Sequence, residues 1–131
     1  MNDQRYDLAL AYFAAVTAGE LPDELLTDDF TAWTTTQGSI SRQAYQHAIG
    51  LLRRMCASPI AFEIDALTAE ADRVVAEARS RATLIDGSVY RNTYVFSFRI
   101  HEGRIAWIAE HFNALVVQER LYPVMALLEQ R

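Results

Sequence analysis

The segment from residue 90 to residue 113 constrains the fold most, because it has the pattern of two long strands joined by a tight glycine turn. Successive side chains of a strand point to opposite faces, so every second residue shares a face. The face richer in aromatic side chains is expected to carry Tyr90, Asn92, Tyr94, Phe96 and Phe98. The opposite, more polar face is expected to carry Arg91, Thr93, Val95, Ser97 and Arg99. The pattern predicts a half-buried antiparallel pair of strands that turns at Glu102-Gly103.

A carboxylate lies on the apolar face of the second of these strands. Alternation places Ile105, Trp107, Ala109 and His111 on one face and Ala106, Ile108, Glu110 and Phe112 on the other. Glu110 therefore lies between two large apolar side chains, where a carboxylate is unusual unless it is paired or functional. Glu110 is the first candidate for a functional residue.

The length and the charge of the chain limit its class and its partners. A chain of 131 residues is most simply one domain, spanning 1–131, with enough residues to bury a core and one sizeable pocket. A formal net charge of -5 argues against nucleic acid or an anionic membrane surface as the main partner. The single cysteine excludes an internal disulfide, and no Cys/His spacing resembles a metal site. Since no apolar run reaches membrane-spanning length, we expect a soluble cytoplasmic protein.

Helix signals dominate the first part of the chain. Apolar residues at near-helical spacing predict a helix over 3–18 that ends at Gly19. A short second helix is expected at 22–26, and the β-branched and aromatic run 30–36 predicts a strand. Ser41 precedes an amphipathic run that predicts the longest internal helix, ended by Ser58-Pro59.

Strand signals follow from Ile60 onward. The period falls to two over 60–66 and again over 73–84, and Asp86-Gly87 is a strong hairpin signal. Further strands are expected at 88–100 and 104–112, and a helical tail at 115–129 is expected to break or kink at Pro123. This order predicts an α+β fold in which N-terminal helices pack on a curved antiparallel sheet that forms a cone with an internal pocket.

The order of elements, together with the pattern DG..YRN.Y.F.F...EGRI.....HFN, resembles the SnoaL-like polyketide cyclases. These belong to the wider nuclear transport factor 2-like superfamily, which includes ketosteroid isomerase and limonene epoxide hydrolase. The resemblance implies a deep apolar pocket closed by the N-terminal helices, and a homodimer formed through the other face of the sheet. It does not choose among isomerase, cyclase, hydrolase, dehydratase and purely binding members.

The resemblance also implies candidate residues. Matched at the EGRI turn, the catalytic aspartate of limonene epoxide hydrolase corresponds to Glu110, and its arginine and second aspartate correspond to Glu77 and Arg79. The closing aspartate of that family's strand is replaced by Asn113. The first strand, where ketosteroid isomerase-like members carry their general base, offers only Trp33, Thr34 and further threonines here.

Two groups of residues are candidates for the chemistry. Glu110, Glu77 and Arg79 are hypothesised to form an acid/base cluster, in which an apolar cavity raises the pKa of a glutamate and the arginine opposes that change. The alternative is a buried structural ion pair. Asn92 and Tyr94 are hypothesised to bind a carbonyl or enolate oxygen, the alternative being an ordinary core aromatic and a backbone-satisfying amide.

The sequence thus leads to a hypothesis of cofactor-independent, metal-independent acid/base chemistry on a small apolar, carbonyl-bearing or cyclic molecule, of the isomerase, cyclase or dehydratase type. Glu110 is the expected proton-transfer group, with Glu77 and Arg79 setting its charge. The expected substrate-binding residues are Asn92, Tyr94, Trp33, Thr34, Ile108 and Phe112. The alternatives are a non-catalytic ligand-binding or dimerisation module and an epoxide-hydrolase-like activation of water.

Overall fold

Two helices with well-formed caps begin the fold in the computed structural model, which describes residues 3–130. Helix α1 spans Gln4–Ala18; the Asp3 carboxylate accepts a hydrogen bond from the Arg5 amide at 2.9 Å, and Gly19 ends the helix in the left-handed conformation with φ 87°. Helix α2 spans Arg42–Met55 and begins at Ser41, whose hydroxyl accepts from the Ala44 amide at 3.1 Å. Both helices begin where the sequence predicts, and α1 ends at Gly19 as expected, whereas α2 ends at Met55, before the expected Ser58-Pro59. Residues 22–26 contain a 3-10 turn at Asp23–Leu25 in place of the expected short helix.

Six strands form one mixed sheet. They are β1 at Leu26–Thr34, β2 at Gly38–Ser41, β3 at Ala61–Glu70, β4 at Arg73–Thr83, β5 at Val89–His101 and β6 at Arg104–Phe112. Their order across the sheet is β2-β1-β6-β5-β4-β3, and every neighbouring pair is antiparallel except β1 and β6. The expectation of a wholly antiparallel sheet is therefore wrong at this one pair. No hairpin joins β1 to β6, so no local turn sets their relative direction.

The inner face of the sheet carries the core, and the alternation predicted for β5 is confirmed. Its buried residues are Tyr90, Asn92, Tyr94, Phe96 and Phe98. The alternation predicted for β6 fails at one end, because the pairing with β5 shifts between Arg99 and Ile100 and leaves Ala106 as an extra residue. This bulge turns Ile105 onto the inner face, where it is completely buried beside Ile108.

The tail after Asn113 returns across the inner face of the sheet. It forms a single turn α3 at Ala114–Val116, a π-helical turn at Val117–Leu121 and helix α4 at Tyr122–Glu129. Pro123 has no N–H and cannot complete the hydrogen-bond ladder of a regular helix, and the wide π turn directly before it accommodates this loss. The expected interruption is thus present as a π turn, and Val117, Leu121 and Val124 are buried.

None of the helices within residues 3–130 combines the length and the apolar character needed to cross a membrane. In the same range, no group of three or more His, Cys, Asp or Glu side chains is arranged to hold a metal ion.

Candidate active site

A glutamate on the inner face of the sheet receives a hydrogen bond from a buried tyrosine. Glu110 lies on β6, two residues before the strand ends, and Tyr45 lies on the apolar face of α2. The Tyr45 hydroxyl donates to Glu110 Oε2 at 2.8 Å. Among residues 3–130, no Lys, Arg or His pairs with this carboxyl group, and Oε1 accepts no hydrogen bond from a protein donor. The carboxyl group is therefore held on one oxygen and free on the other.

A second tyrosine extends this contact into a chain of hydroxyl groups. The Tyr12 hydroxyl, on α1, lies 2.5 Å from that of Tyr45. A carboxylate only accepts hydrogen bonds, so when Glu110 is ionised Tyr45 donates to it and Tyr12 donates to Tyr45. The Tyr12 ring is fixed by edge contacts with Phe96 and Phe98, at centroid separations of 5.6 Å and 5.2 Å. One consistent hydrogen-bond direction thus runs from α1 through α2 to the sheet.

Burial raises the pKa of Glu110, and a single hydrogen bond offsets only part of this rise. Removal of the carboxyl group from water raises its pKa from the usual 4.5 to about 7, and the hydrogen bond from Tyr45 opposes this rise. Burial also raises the pKa values of Tyr12 and Tyr45 well above 10, with the Glu110 charge adding to the effect. Both tyrosines therefore remain protonated donors at neutral pH, while Glu110 is present in both protonation states.

Glu110 lines a partly open cavity of about 170 Å³. Its floor is formed by β1, β5 and β6, and its roof by α2 and the C-terminal helical segment, residues 114–129. The roof is almost wholly apolar and consists of Ala48, Ile49, Leu51, Leu52, Met55, Val117, Leu121, Tyr122 and Met125. Of the predicted site residues, Glu110, Tyr94, Thr34 and Phe112 line this cavity. It is thus the C-terminal segment, together with α2, that closes the pocket.

A second group of hydroxyls lies on the wall beside Glu110. The Tyr94 hydroxyl lies 2.7 Å from Ser80 Oγ and 3.2 Å from the Tyr90 hydroxyl. Tyr90 in turn accepts a hydrogen bond from the Asn92 amide group at 2.9 Å. Two hydroxyl-to-hydroxyl contacts use two of the three hydroxyl hydrogens, so one donor hydrogen remains without a protein acceptor in this group. When Tyr90 or Tyr94, which both line the cavity, carries this hydrogen, it can be donated to a ligand oxygen.

Asn92 is near the cavity but has no spare hydrogen-bonding capacity. Its Oδ1 accepts from the backbone amides of Thr93 and Asn113 at 2.8 Å and 3.0 Å. Its amide nitrogen donates to Tyr90 and to the Asn113 carbonyl at 3.2 Å. Asn92 therefore anchors the start of the C-terminal segment and orients Tyr90, and a direct contact with substrate would require one of these bonds to break.

The structure does not bring Glu77 and Arg79 to Glu110, and the predicted cluster of these three residues is wrong. The inner face of β4 is formed by its even-numbered residues, and both charged side chains project from the outer face, exposed to solvent. Arg79 binds Glu63 at 2.6 Å and Asp65 at 2.8 Å, both on β3. These carboxylates raise the pKa of Arg79, and its hydrogen bonds lower the pKa of Asp65. The alternation of charged and small residues along β4 was a signal for this placement.

Two further predicted binding residues lie away from the cavity. Trp33 projects from the outer face of β1 and packs on the ring of His111 at a centroid separation of 4.8 Å. His111 was expected to face away from the pocket, and it does. Ile108 is on the inner face as expected but is completely buried in the core between the sheet and the helices.

Sequence reasoning missed two tyrosines: Tyr45, which bonds to Glu110 directly, and Tyr12, which bonds to Tyr45. In the sequence, both are among the apolar and aromatic residues at helical spacing from which α1 and α2 were predicted. A usable signal was present, because a tyrosine in place of phenylalanine at a fully buried position needs a hydrogen-bond partner for its hydroxyl.

Comparison with known proteins agrees with this architecture. Residues 9–108 match the family model described as the SnoaL-like domain. No curated protein matches the sequence. Among solved structures, a candidate isomerase from Bacillus subtilis superimposes with a TM-score of 0.79 at 20% identity, over 92% of this chain and 96% of that chain. A candidate SnoaL-like polyketide cyclase from Jannaschia sp. CCS1 gives 0.73 at 17% identity, over 88% and 89%.

An LEH-like epoxide hydrolase from M. tuberculosis gives a TM-score of 0.70 at 18% identity, over 98% of this chain and 97% of that chain. At these identities the similarity establishes the fold and leaves the reaction open. The family model covers most of the chain, including α2 and all of β5, and ends at Ile108 within β6, before Glu110 and the C-terminal segment. The protein described here is therefore a member of the SnoaL-like domain family.

Proposed function

We propose that this protein catalyses a cofactor-independent proton transfer on a small apolar substrate that carries a carbonyl group or a ring, with Glu110 as the acid/base group. The observation that supports this most is a cavity-facing carboxyl group with a pKa of about 7 and a single fixed donor, Tyr45. A general acid or base works best when its pKa is near the operating pH. The reaction type is that of an isomerase, cyclase or dehydratase.

The proposed step uses the free oxygen of Glu110. In its ionised form Oε1 removes a proton from a carbon next to the substrate carbonyl; the C–H bond breaks and its electron pair moves to the carbonyl oxygen as an enolate. Glu110, now protonated, returns the proton to another position of the same molecule. Tyr45 holds Oε2 throughout, so the carboxyl group keeps one orientation in both states.

The spare hydroxyl hydrogen in the group formed by Tyr90, Tyr94 and Ser80 is suited to bind the enolate oxygen. Phe96 pairs with Glu110 across β5 and β6, so Tyr94 is the diagonal neighbour of Glu110 on the same face. Diagonal neighbours of an antiparallel pair lie about 7–8 Å apart, a separation that a small substrate spans. A preorganised donor aimed at a developing negative oxygen lowers the barrier to enolate formation.

The size and the lining of the cavity define the substrate class. At about 170 Å³ it is smaller than the roughly 300–1,000 Å³ typical of sites for drug-sized ligands. Its apolar roof favours an uncharged molecule. Epoxide-type activation of water has less support, because the partners that the resemblance assigned to Glu110 lie on the other face of the sheet.

We also propose a homodimer formed through the outer face of the sheet around Val75 and Val95, which are exposed on β4 and β5 toward the end that carries Arg73 and Arg99. A substitution of Val95→Glu should then produce monomers in light scattering, and an unchanged mass would contradict this interface. The cytoplasmic location stays a prediction.

Exchange of carbonyl-adjacent protons into D₂O tests the function without knowledge of the natural substrate. The protein is incubated with small cyclic ketones such as cyclohexanone, and loss of the proton signal is followed by NMR. We expect catalysed exchange, reduced about 100-fold or more in Glu110→Gln, because general acid/base groups contribute about 10²- to 10⁴-fold.

Glu77→Gln is the matched control, since it makes the same chemical change on the outer face and should leave exchange unaltered. If cyclohexanone binds but wild-type protein and Glu110→Gln exchange its protons equally slowly, the protein is a binding module and the catalytic proposal fails.

A further inference from the structure

Two neighbouring rows of residues on the outer face of the sheet differ in charge. Strand pairing places Glu63, Arg79 and Thr93 side by side in one row and Ala61, Arg81 and Arg91 in the next. In the first row, the arginine is neutralised by Glu63 and by Asp65. We call Arg81 and Arg91 the arginine pair.

No carboxylate of the described residues balances the two positive charges of the arginine pair. The two residues are directly opposite on antiparallel strands, an arrangement in which like charges repel. Among the carboxylates of residues 3–130, none forms a salt bridge with either guanidinium group. Both side chains are exposed, and their donors make no hydrogen bond to a described residue. The pair thus offers two planar donor groups side by side.

A cleft lies over the arginine pair. Its volume is about 550 Å³, and it lies where β6 ends and the chain turns into α3. Ala61 and Val116 supply apolar surface on its walls, and the polar groups come from Ser80, Asn92, Thr93 and Asn113. Counting the charges around it, three arginines (79, 81 and 91) against two carboxylates (63 and 65) leave one net positive charge. That excess matches a singly charged anion.

We propose that Arg81 and Arg91 form a binding site for the carboxylate of a small organic anion, whose apolar part lies against Ala61 and Val116. Guanidinium groups bind carboxylates through paired, charge-assisted hydrogen bonds, and two of them in one cleft can hold both oxygens. Arg81 and Arg91 project from the outer face of the sheet, whereas Ser80 and Asn92, which also line the cleft, project from the inner face and bond to Tyr94 and Tyr90. The cleft therefore lies at the end of the sheet, and neither arginine takes part in the proposed proton transfer.

The same two strands supply a matched control. Arg73 and Arg99 are also directly opposite each other on β4 and β5, near the other end of the strands. Neither lines the cleft, and the Arg99 guanidinium lies over the Trp107 ring at 5.3 Å from its centroid. Replacing either pair by glutamine removes the same two charges from the same face, so only a local site distinguishes the two variants.

The test is a titration with benzoate at pH 8, where the Glu110 carboxylate disfavours anions in its own cavity. The readout is the arginine Nε–Hε signals in ¹⁵N NMR spectra, with circular dichroism confirming that each variant is folded. We expect saturable shifts confined to Arg81 and Arg91. The Arg81→Gln, Arg91→Gln variant should bind benzoate at least about tenfold more weakly, because hydrogen bonds to charged groups are among the stronger ones. The Arg73→Gln, Arg99→Gln variant should bind like the wild type.

Replacement of Arg81 and Arg91 by lysine keeps the charge but removes the planar donor fork, so binding should be intermediate. Equal weakening in both glutamine variants would assign the effect to the general field of the protein and overturn the proposal. The absence of any benzoate response would also overturn the proposal. This includes the case in which the protein is a dimer by light scattering and the second copy covers the arginine pair.

Discussion

Glu110 and Arg79 lie in opposite environments on the two faces of one sheet. Glu110 lines the cavity, has no cationic partner among residues 3–130 and receives one hydrogen bond, from Tyr45. Arg79 is exposed and bonds to two carboxylates. Removal from water raises the pKa of the first group to about 7, while the ionised state of the second is stabilised by its partners. On the exposed face, the charge of Arg79 is balanced by its carboxylate partners. In the apolar cavity, the Glu110 carboxyl group has no such partner and titrates near neutral pH.

The sharpest test of this comparison is the pH dependence of stability, where Glu110 should have the largest effect. Its pKa is raised in the folded state, so the folded protein binds the proton more tightly than the unfolded chain. This contribution to stability is fully present below about pH 4.5 and is lost as the pH rises through about 7. The free energy of unfolding of Glu110→Gln, relative to that of the wild type, should therefore increase by about 3 kcal/mol between pH 4.5 and pH 8.

Urea unfolding of both proteins across this range provides the measurement, with Glu77→Gln as the control that should follow the wild type. A difference between wild type and Glu110→Gln that stays constant with pH would mean that the carboxylate is well solvated in the folded state.

A smaller effect is expected from the tyrosines that hold Glu110. Tyr45→Phe removes the donor that favours the ionised carboxylate, so the pKa of Glu110 should rise by about one unit. Tyr12→Phe should raise it by less, because Tyr12 acts only through Tyr45. Carboxyl ¹³C NMR titration measures both values, and the acidic limb of the exchange rate, on which the rate rises as Glu110 ionises, should move to higher pH in parallel. A lower pKa in Tyr45→Phe would contradict the assigned direction of the hydrogen bond.

The smallest effect is expected on the outer face. Arg79→Gln removes an exposed ion-pair network, and such pairs contribute little because water and salt screen them. We expect a melting temperature close to that of the wild type, no change in proton exchange and no change in the Glu110 titration. A loss of proton exchange in this variant would show that Arg79 on the outer face affects Glu110 on the inner face, contrary to our expectation.

Much of the fold followed from local patterns. The limits of β6 at Arg104–Phe112 were predicted residue for residue, and Gly87 takes the left-handed conformation that the Asp86-Gly87 turn requires, with φ 87°. The alternation of β5 gave the correct inner face. The bulge at Ala106 was missed because alternation carries no information about an extra residue, and the parallel pairing of β1 with β6 was missed because no turn connects those strands.

The candidate site was predicted only in part. Glu110 was identified because a carboxylate between Ile108 and Phe112 departs from the pattern of an inner strand face. Glu77 and Arg79 were added through a family match that ignored the strand alternation, which places them outside. The contribution of Tyr45 was missed because it lies 65 positions from Glu110 along the chain, and no local pattern relates the two.

The sequence by itself determined the α+β class, the family, the helix starts, the limits of β4, β5 and β6 to within one residue, and the one carboxylate at an apolar position. These depend on backbone periods and on residues within a few positions of one another. Only the tertiary structure decided which charged residues share a face, that α2 and residues 114–129 close the cavity, and that two helix hydroxyls reach Glu110. These depend on contacts between distant segments, and the partial loss of water around the carboxyl group in that cavity raises the pKa of Glu110.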